Sequence, residues 1–207
     1  MRQKIIFFDI DRTLFNSENF LENFYKRIFE VYSLTPEEIV KIKDLYHSSK
    51  AVKGYFIPSI FLENIVNSYS QIEANKLKSI FNSLIEKNLY EDSNVLMDIN
   101  SFAQIAFFSK GDEEFQKEKI KRFMKVVNIN DVHILPDKIK EIGKIFSNYS
   151  NFKIFLVDDE IEVLQNAKEK MDFVTTILMD RKKNKIKSGK IEHKVENLNE
   201  IINLIYE

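Results

Sequence analysis

Residues 4–13 read KIIFFDIDRT. Ile5, Ile6, Phe7 and Phe8 follow one another with no polar residue between them. A strand with one wet face alternates apolar and polar residues. A run without alternation predicts a strand covered on both faces, as in a parallel sheet. The run ends in two carboxylates, Asp9 and Asp11, with Thr13 two places on. In an extended stretch, side chains at i and i+2 point to one side. Both carboxylates can therefore face one ligand beyond the strand's carboxyl end.

Downstream of Phe15 the period changes. Phe20, Leu21, Phe24, Ile28 and Val31 recur at helical spacing, with Ser17 as the expected N-cap. Thr35-Pro36-Glu37-Glu38 reads as a second helix start, running to about Ser49. Ile60, Phe61, Ile65 and Val66 mark a third helix. Ser70 is expected to open a fourth, with Ile72, Leu77, Ile80, Phe81, Leu84 and Ile85 inward. No strand is expected between Leu14 and Tyr90. Strand and helix then take turns. The expected strands are Ile105 to Phe108, Val132 to Leu135, Lys153 to Val157 and Phe173 to Leu178. Helices are expected over Glu113 to Val127, from Pro136-Asp137 to Ser147, from Ile161 to Met171, and from Asn197 to Ile205. Asp180 to His193 reads as a basic loop. Such alternation predicts an α/β fold: a Rossmann-like parallel sheet core carrying an inserted all-helical domain. The expected division is residues 1–15 and 94–207 for the core and 16–93 for the helical insertion.

Bulk composition narrows the function. Basic and acidic residues number 31 and 32, so no global field draws the chain to nucleic acid or an anionic membrane. The absence of cysteine excludes disulfides, thiolate nucleophiles and Cys-based zinc sites. No run has the apolar length of a signal peptide or a membrane span, so a cytoplasmic protein is expected. The basic run Arg181-Lys182-Lys183-Asn184-Lys185 is short and lacks interleaved aromatics, which argues against nucleic-acid binding.

A second buried run, KIFLV at 153–157, also ends in acids, Asp158 and Asp159. Ligands of open α/β sheets bind beyond the carboxyl ends of the strands. Either acid run alone also suits a helix N-cap or a solvated turn. Two such runs after two buried strands point to convergence. Converging carboxylates repel and hold protons unless a hard divalent cation joins them, and Mg²⁺ is the usual one. One carboxylate can then attack while its neighbour moves a proton, a division of labour suited to phosphoryl transfer. Such chemistry also wants a hydroxyl near the phosphoryl oxygens and a cation opposite the metal. Ser109 ends the segment AFFSKG, and Lys138 opens a helix, with Lys110 and Lys140 as rivals.

In these features the chain resembles the haloacid dehalogenase (HAD) superfamily of phosphohydrolases, in its version with a helical C1-type cap inserted after the first strand. Asp9, Asp11 and Thr13 match the family's Asp-x-Asp-x-Thr motif. Ser109, Lys138 and the pair Asp158-Asp159 match its second, third and fourth motifs. The resemblance implies that Asp9 is a nucleophile forming an aspartyl-phosphate. It implies that Asp11 is the general acid and base, with its main-chain carbonyl on Mg²⁺, and that Thr13 stabilises the turn. The metal ligands implied are Asp9, Asp11 and Asp159, with Asp158 second in line. Dehalogenases keep the first aspartate and lack the second, so Asp11 argues for phosphate chemistry. The function implied is Mg²⁺-dependent hydrolysis of a small phosphorylated metabolite. A phosphotransferase or phosphomutase, or a binding protein repurposed from the scaffold, is the alternative. The chain departs from the family at Arg12, commonly glycine, at Val163, often aspartate, and at Lys138, which no proline follows. In the cap, Tyr46, His47, Lys50, Lys53 and Tyr55 are candidate substrate contacts. The stretch HSSKAVKGYF that holds most of them suits a solvated connector equally well. No sequence signature sets an oligomeric state.

Overall fold

The apolar run at the amino terminus forms strand β1 (Lys4–Phe8) in a computed structural model that describes residues 3–183 and 191–206. Its side chains divide by parity. Ile5 and Phe7 join one buried cluster, and Ile6 and Phe8 the other. With all four at 0% exposure, each contributes roughly 1.5–3 kcal/mol of transfer free energy.

The remaining strands are β2 (Gln104–Lys110), β3 (Val132–Leu135), β4 (Lys153–Asp158), β5 (Thr175–Met179) and β6 (His193–Val195). They form one six-stranded sheet in the order β3-β2-β1-β4-β5-β6, and every pairing is parallel. The chain lays strands to one side of β1, then crosses to build the other side. β1 therefore lies at the topological switch point, where such sheets open a crevice. Phe8 pairs with Phe107 on β2 and Val157 on β4, which brings Asp9, Ser109 and Asp158 to one edge.

Between β1 and β2 lie α1 (Ser17–Tyr32), α2 (Pro36–Ala51), α3 (Pro58–Ser68), α4 (Ala74–Ser83) and α5 (Val95–Ile99). Thr35 and Glu38 close a capping box at the start of α2, with Pro36 at the first helical position. Aromatic rings fill the interior of this block: Phe81 lies 4.9 Å from Phe20 and 5.3 Å from Phe24, centroid to centroid. Phe115 of α6 (Glu113–Ile120) lies 5.4 Å from Phe81, so the block packs directly on the sheet domain's first crossover helix. The two connecting segments pair with each other. Asn16 N–H donates to Asn88 O (2.8 Å) and Tyr90 N–H to Leu14 O (2.9 Å). α7 (Lys138–Ser147) and α8 (Ile161–Lys170) cover the other face, and α9 (Asn199–Tyr206) closes the chain. No helix among the described residues is long and apolar enough to cross a membrane.

Several expectations about local structure are corrected. The N-cap of α1 is Asn16, whose side chain accepts from Asn19 N–H, which frees Ser17 for other work. The fourth helix opens at Ala74, because Tyr69 to Ile72 first makes a turn closed by Ile72 N–H to Tyr69 O. α6 stops at Ile120, beyond which i→i+3 bonds such as Met124 N–H to Lys121 O replace the α-helical ladder. β5 starts at Thr175, and Phe173 stands 44% exposed before it. β6 lies at the end of the segment read as a basic loop. Residues 184–190 of that loop, with Asn184 and Lys185 of the basic run, lie outside the described residues.

Candidate active site

Asp9 is 3% exposed, and one of its oxygens is fully engaged. Ser109 Oγ and Lys138 Nζ both donate to Asp9 Oδ1, at 3.0 and 2.8 Å. Among the described residues nothing donates to Asp9 Oδ2. Lys138 also donates to Asp158 Oδ2 at 2.7 Å, and Glu160 N–H donates to Asp158 Oδ1 at 2.9 Å. Lys138 is thus the shared cation of two buried acids, and the N-cap Asp137 starts its helix at the right point to aim it. Its rivals are elsewhere. Lys140 is exposed and pairs with Asp137, while Lys110 stands exposed at the mouth of the cavity.

Carboxylate oxygens of Asp9, Asp158 and Asp159 come within 4.8 Å of one another. Burial, more than any neighbour, lifts the Asp9 and Asp158 pKa values above the ordinary carboxylate range, with Lys138 opposing. Burial and then Asp9 push Asp159 up to about 7, against the pull of Arg12 and Lys138. Lys138 and the partly exposed Arg12 against these three acids and Glu18 leave net negative charge at the cluster. This set of hard oxygen donors suits a hard divalent cation such as Mg²⁺. The carboxylate of Asp11 is not in the cluster.

Asp11 has its own retinue. Lys119 Nζ donates to both its oxygens at 2.7 and 2.9 Å, Gln116 Nε2 donates to Oδ2 at 2.7 Å, and Ser17 Oγ donates to Oδ1. Burial raises the Asp11 pKa, but Lys119 outweighs it and holds the carboxyl below its usual range. Lys119 is 3% exposed and lies over the rings of Phe115 and Phe15, 4.1 and 4.6 Å from their centroids. Sequence reading missed Ser17, Gln116 and Lys119 as site residues. The available signal was positional: Gln116 and Lys119 share the face of α6 that carries Phe115 and Ile120. Gly111, at φ 156°, makes room for this arrangement, because a Cβ there would meet Gln116 Nε2 at 2.6 Å.

Thr13 and Arg12 complete the loop after β1. The Thr13 hydroxyl is buried and has no hydrogen-bond partner among the described residues. Its carbonyl accepts from Arg181 at 2.7 Å. Arg12 adopts φ 57°, a left-handed conformation that costs a non-glycine residue about 1 kcal/mol. Its guanidinium meets Glu18 (3.0 Å) and Asp159 (3.4 Å).

These groups open into a cavity of 190 Å³ between the sheet edge and the helical block. Tyr46, Lys50, Tyr55 and Phe56 line it from the helical side, whereas His47 and Lys53 are exposed outside it. Burial raises the Tyr46 pKa, and the next cause is Asp11, across the cavity. His133 is remote, bonded to Tyr149 at 3.0 Å.

The chain matches no protein-family profile and no curated protein sequence. Solved structures do match along its whole length. A putative haloacid dehalogenase-like hydrolase from Burkholderia xenovorans is similar at TM-score 0.73 and 18% identity, covering 98% of each chain. A putative HAD-hydrolase from Bacillus subtilis bound to magnesium is similar at TM-score 0.66 and 12% identity, covering 100% of each. A defluorinating L-2-haloacid dehalogenase is similar at TM-score 0.67 and 10% identity, covering 99% of this chain and 96% of that one. At such identities the likeness concerns backbone architecture, and on that ground the chain has the haloacid dehalogenase-like hydrolase fold.

Proposed function

We propose that the protein is a Mg²⁺-dependent phosphatase that hydrolyses a small phosphomonoester through an aspartyl-phosphate on Asp9. The observation that carries this reading is the asymmetry of Asp9. Oδ1 is pinned by Ser109 and Lys138, nothing among the described residues donates to Oδ2, and Asp9 lines the cavity. A nucleophile held by one oxygen is oriented without being consumed by its hydrogen bonds.

In this reading, Asp9 Oδ2 attacks phosphorus, the bond from phosphorus to the ester oxygen breaks, and that oxygen takes a proton from Asp11. Water then attacks the phosphorus and gives a proton to Asp11, and Asp9 leaves as a free carboxylate. Lys119 favours the ionised Asp11 that the second step needs. The first step needs the protonated form, and the negative charge of an arriving phosphate favours it. Lys138 and Ser109 face the equatorial oxygens. Asp9, the Asp11 carbonyl and Asp159 would hold the metal, which when bound screens the phosphoryl oxygens from the carboxylates. Both oxygens of Asp158 are already used, by Lys138 and Glu160 N–H, so Asp158 is assigned to positioning Lys138. Residues 16–93 act as the cap and exclude water from the reaction. Asp11 favours phosphate over carbon–halogen chemistry, since a dehalogenase has no leaving oxygen to protonate.

The test is phosphate release from a panel of small phosphomonoesters, with Mg²⁺ and with chelator. Turnover is expected only with Mg²⁺, falling on the order of 10³-fold or more in Asp9→Asn. Chloride or fluoride release from 2-haloacids without phosphatase activity would overturn the assignment.

A further inference from the structure

The cavity holds more positive charge than one phosphoryl group requires. Lys138 is committed to Asp9 and Asp158, and Arg12 to Glu18 and Asp159. Two ammonium groups remain. Lys50 reaches the cavity from the last turn of α2, and Lys110 from the end of β2 on the opposite wall. Neither makes an ion pair with any described residue. Lys50 is partly buried and lies 5.4 Å from the Tyr46 ring centroid. Tyr46 and Lys50 are one helical turn apart, so they present a hydroxyl and an ammonium on one face. The Tyr46 hydroxyl has no hydrogen-bond partner among the described residues.

The acids nearby do not answer these lysines. Asp11 is neutralised by Lys119, and Asp112 caps α6 by accepting from Phe115 N–H. Phe56 and Phe115 give the same cavity apolar lining, which strengthens charge interactions made beside them. At 190 Å³ the cavity is smaller than the roughly 300–1,000 Å³ of drug-sized sites, so an occupant that touches both walls is a small molecule.

We propose that Lys50, Tyr46 and Lys110 form a second anion subsite, and that the substrate is a small phosphomonoester bearing a further anionic group, a carboxylate or a second phosphate. This rests on the phosphatase reading for its reacting end. The subsite itself is a statement about binding.

The experiment compares three probes of one carbon skeleton length: 3-phosphoglycerate, propane-1,3-diol bisphosphate and the singly charged-end glycerol 3-phosphate. With the Mg²⁺-loaded protein, kcat/KM for one of the two doubly anionic esters should exceed that for glycerol 3-phosphate by about tenfold, with the difference in KM. Which of the two wins separates carboxylate from phosphate. Lys50→Met should bring the ratio to within about twofold, Lys110→Met should reduce it less, and Lys53→Met should leave it unchanged. A ratio near one in the wild type, or one that survives both Lys50→Met and Lys110→Met, overturns the subsite. Equilibrium titration of the same esters against Asp9→Asn gives the second readout. If nothing is hydrolysed, the phosphatase reading falls. An anion preference of about tenfold in affinity then still supports the subsite, and equal affinities overturn it.

Discussion

Replacing Lys138 by methionine keeps most of the side-chain volume and removes the one cation shared by Asp9 and Asp158. Lys138 is 4% exposed, and its partners are as buried. Breaking a buried pair by deleting one partner costs about 3–5 kcal/mol, because the remaining charge has no compensation. For a chain of this length each kcal/mol moves Tm by roughly 2–4 °C, so Lys138→Met should melt about 10 °C lower. The loss should depend on pH. The lysine pKa is raised, since Asp158 and Asp9 outweigh burial, so its charge is constant from acid to mildly alkaline pH. The pH dependence then comes from the acids. Without Lys138, the already raised Asp9 and Asp158 pKa values rise further. An acid whose folded pKa lies above its unfolded value binds more protons when native, so stability falls as pH rises through that window. The gap between wild type and variant should therefore widen from about pH 5 to about pH 8. Thermal and urea unfolding without divalent ions measure it. A gap below about 1 kcal/mol, or one constant across this range, would refute the claim that Lys138 carries the charge balance of the cluster.

Three further perturbations test neighbouring parts. Asp159, raised to about 7, should make metal-free wild-type protein lose stability as pH climbs from about 4 to about 7, a slope that Asp159→Asn flattens. Mg²⁺ should raise Tm more at about pH 8 than at about pH 5.5, because protons compete for the ligands; an equal shift at both values speaks against Asp159 as a ligand. Arg181 joins the two connecting segments by donating to Asp92 Oδ1 (3.0 Å) and Thr13 O (2.7 Å) while stacking 4.0 Å from the Tyr90 ring centroid. Arg181→Met should cost about 2–4 kcal/mol in urea unfolding, and Arg181→Lys should recover little, since an ammonium cannot make the fork. Amide exchange should then quicken at residues 13–16 and 88–92, and unchanged exchange there would show that Arg181 does not hold the two connecting segments together.

The strands were legible because their causes are local. KIIFF, AFFSK and KIFLV are apolar without alternation, and each ends at a polar side chain of the candidate site. Asp9, Ser109, Lys138 and the Asp158-Asp159 pair were readable for the same reason: each sits at the end of a strand or the start of a helix that the sequence marks. The partners of Asp11 were not readable. Lys119 lies in a run, EKIKR, whose other cations face solvent, and only the packing of α6 against Phe15 turns it inward. Ser17 was read as a cap because serine suits that place, but Asn16 took it, and the displaced hydroxyl became available to Asp11. The short β6 and α5 carry too few residues for a period to emerge. Lys50 and Lys53 are alike in sequence, but Lys50 sits in the last turn of α2 and lines the cavity, whereas Lys53 follows the helix end and is exposed.

The two carboxylates of the opening motif are driven apart by their surroundings, and that division bears on their roles. Asp9 and Asp11 lie two residues apart, yet burial lifts one above the ordinary range while Lys119 draws the other below it. When environments separate two acids in this way, their assignments follow from which form each must use. Asp11 is ready to accept a proton. On the proposed reading Asp9 must be an anion to attack, and burial works against that ion while Lys138 at 2.8 Å works for it. One ammonium does not balance Asp9, Asp158 and Asp159 together. Further positive charge at the open side of the cluster would lower the Asp9 pKa and favour its ionised form. On the proposed reading, a divalent ion held by Asp9, the Asp11 carbonyl and Asp159 would supply positive charge before any phosphate arrives, and so would favour the ionised Asp9 that attack needs. Activity should then depend on the ion even for esters whose own charge needs no screening.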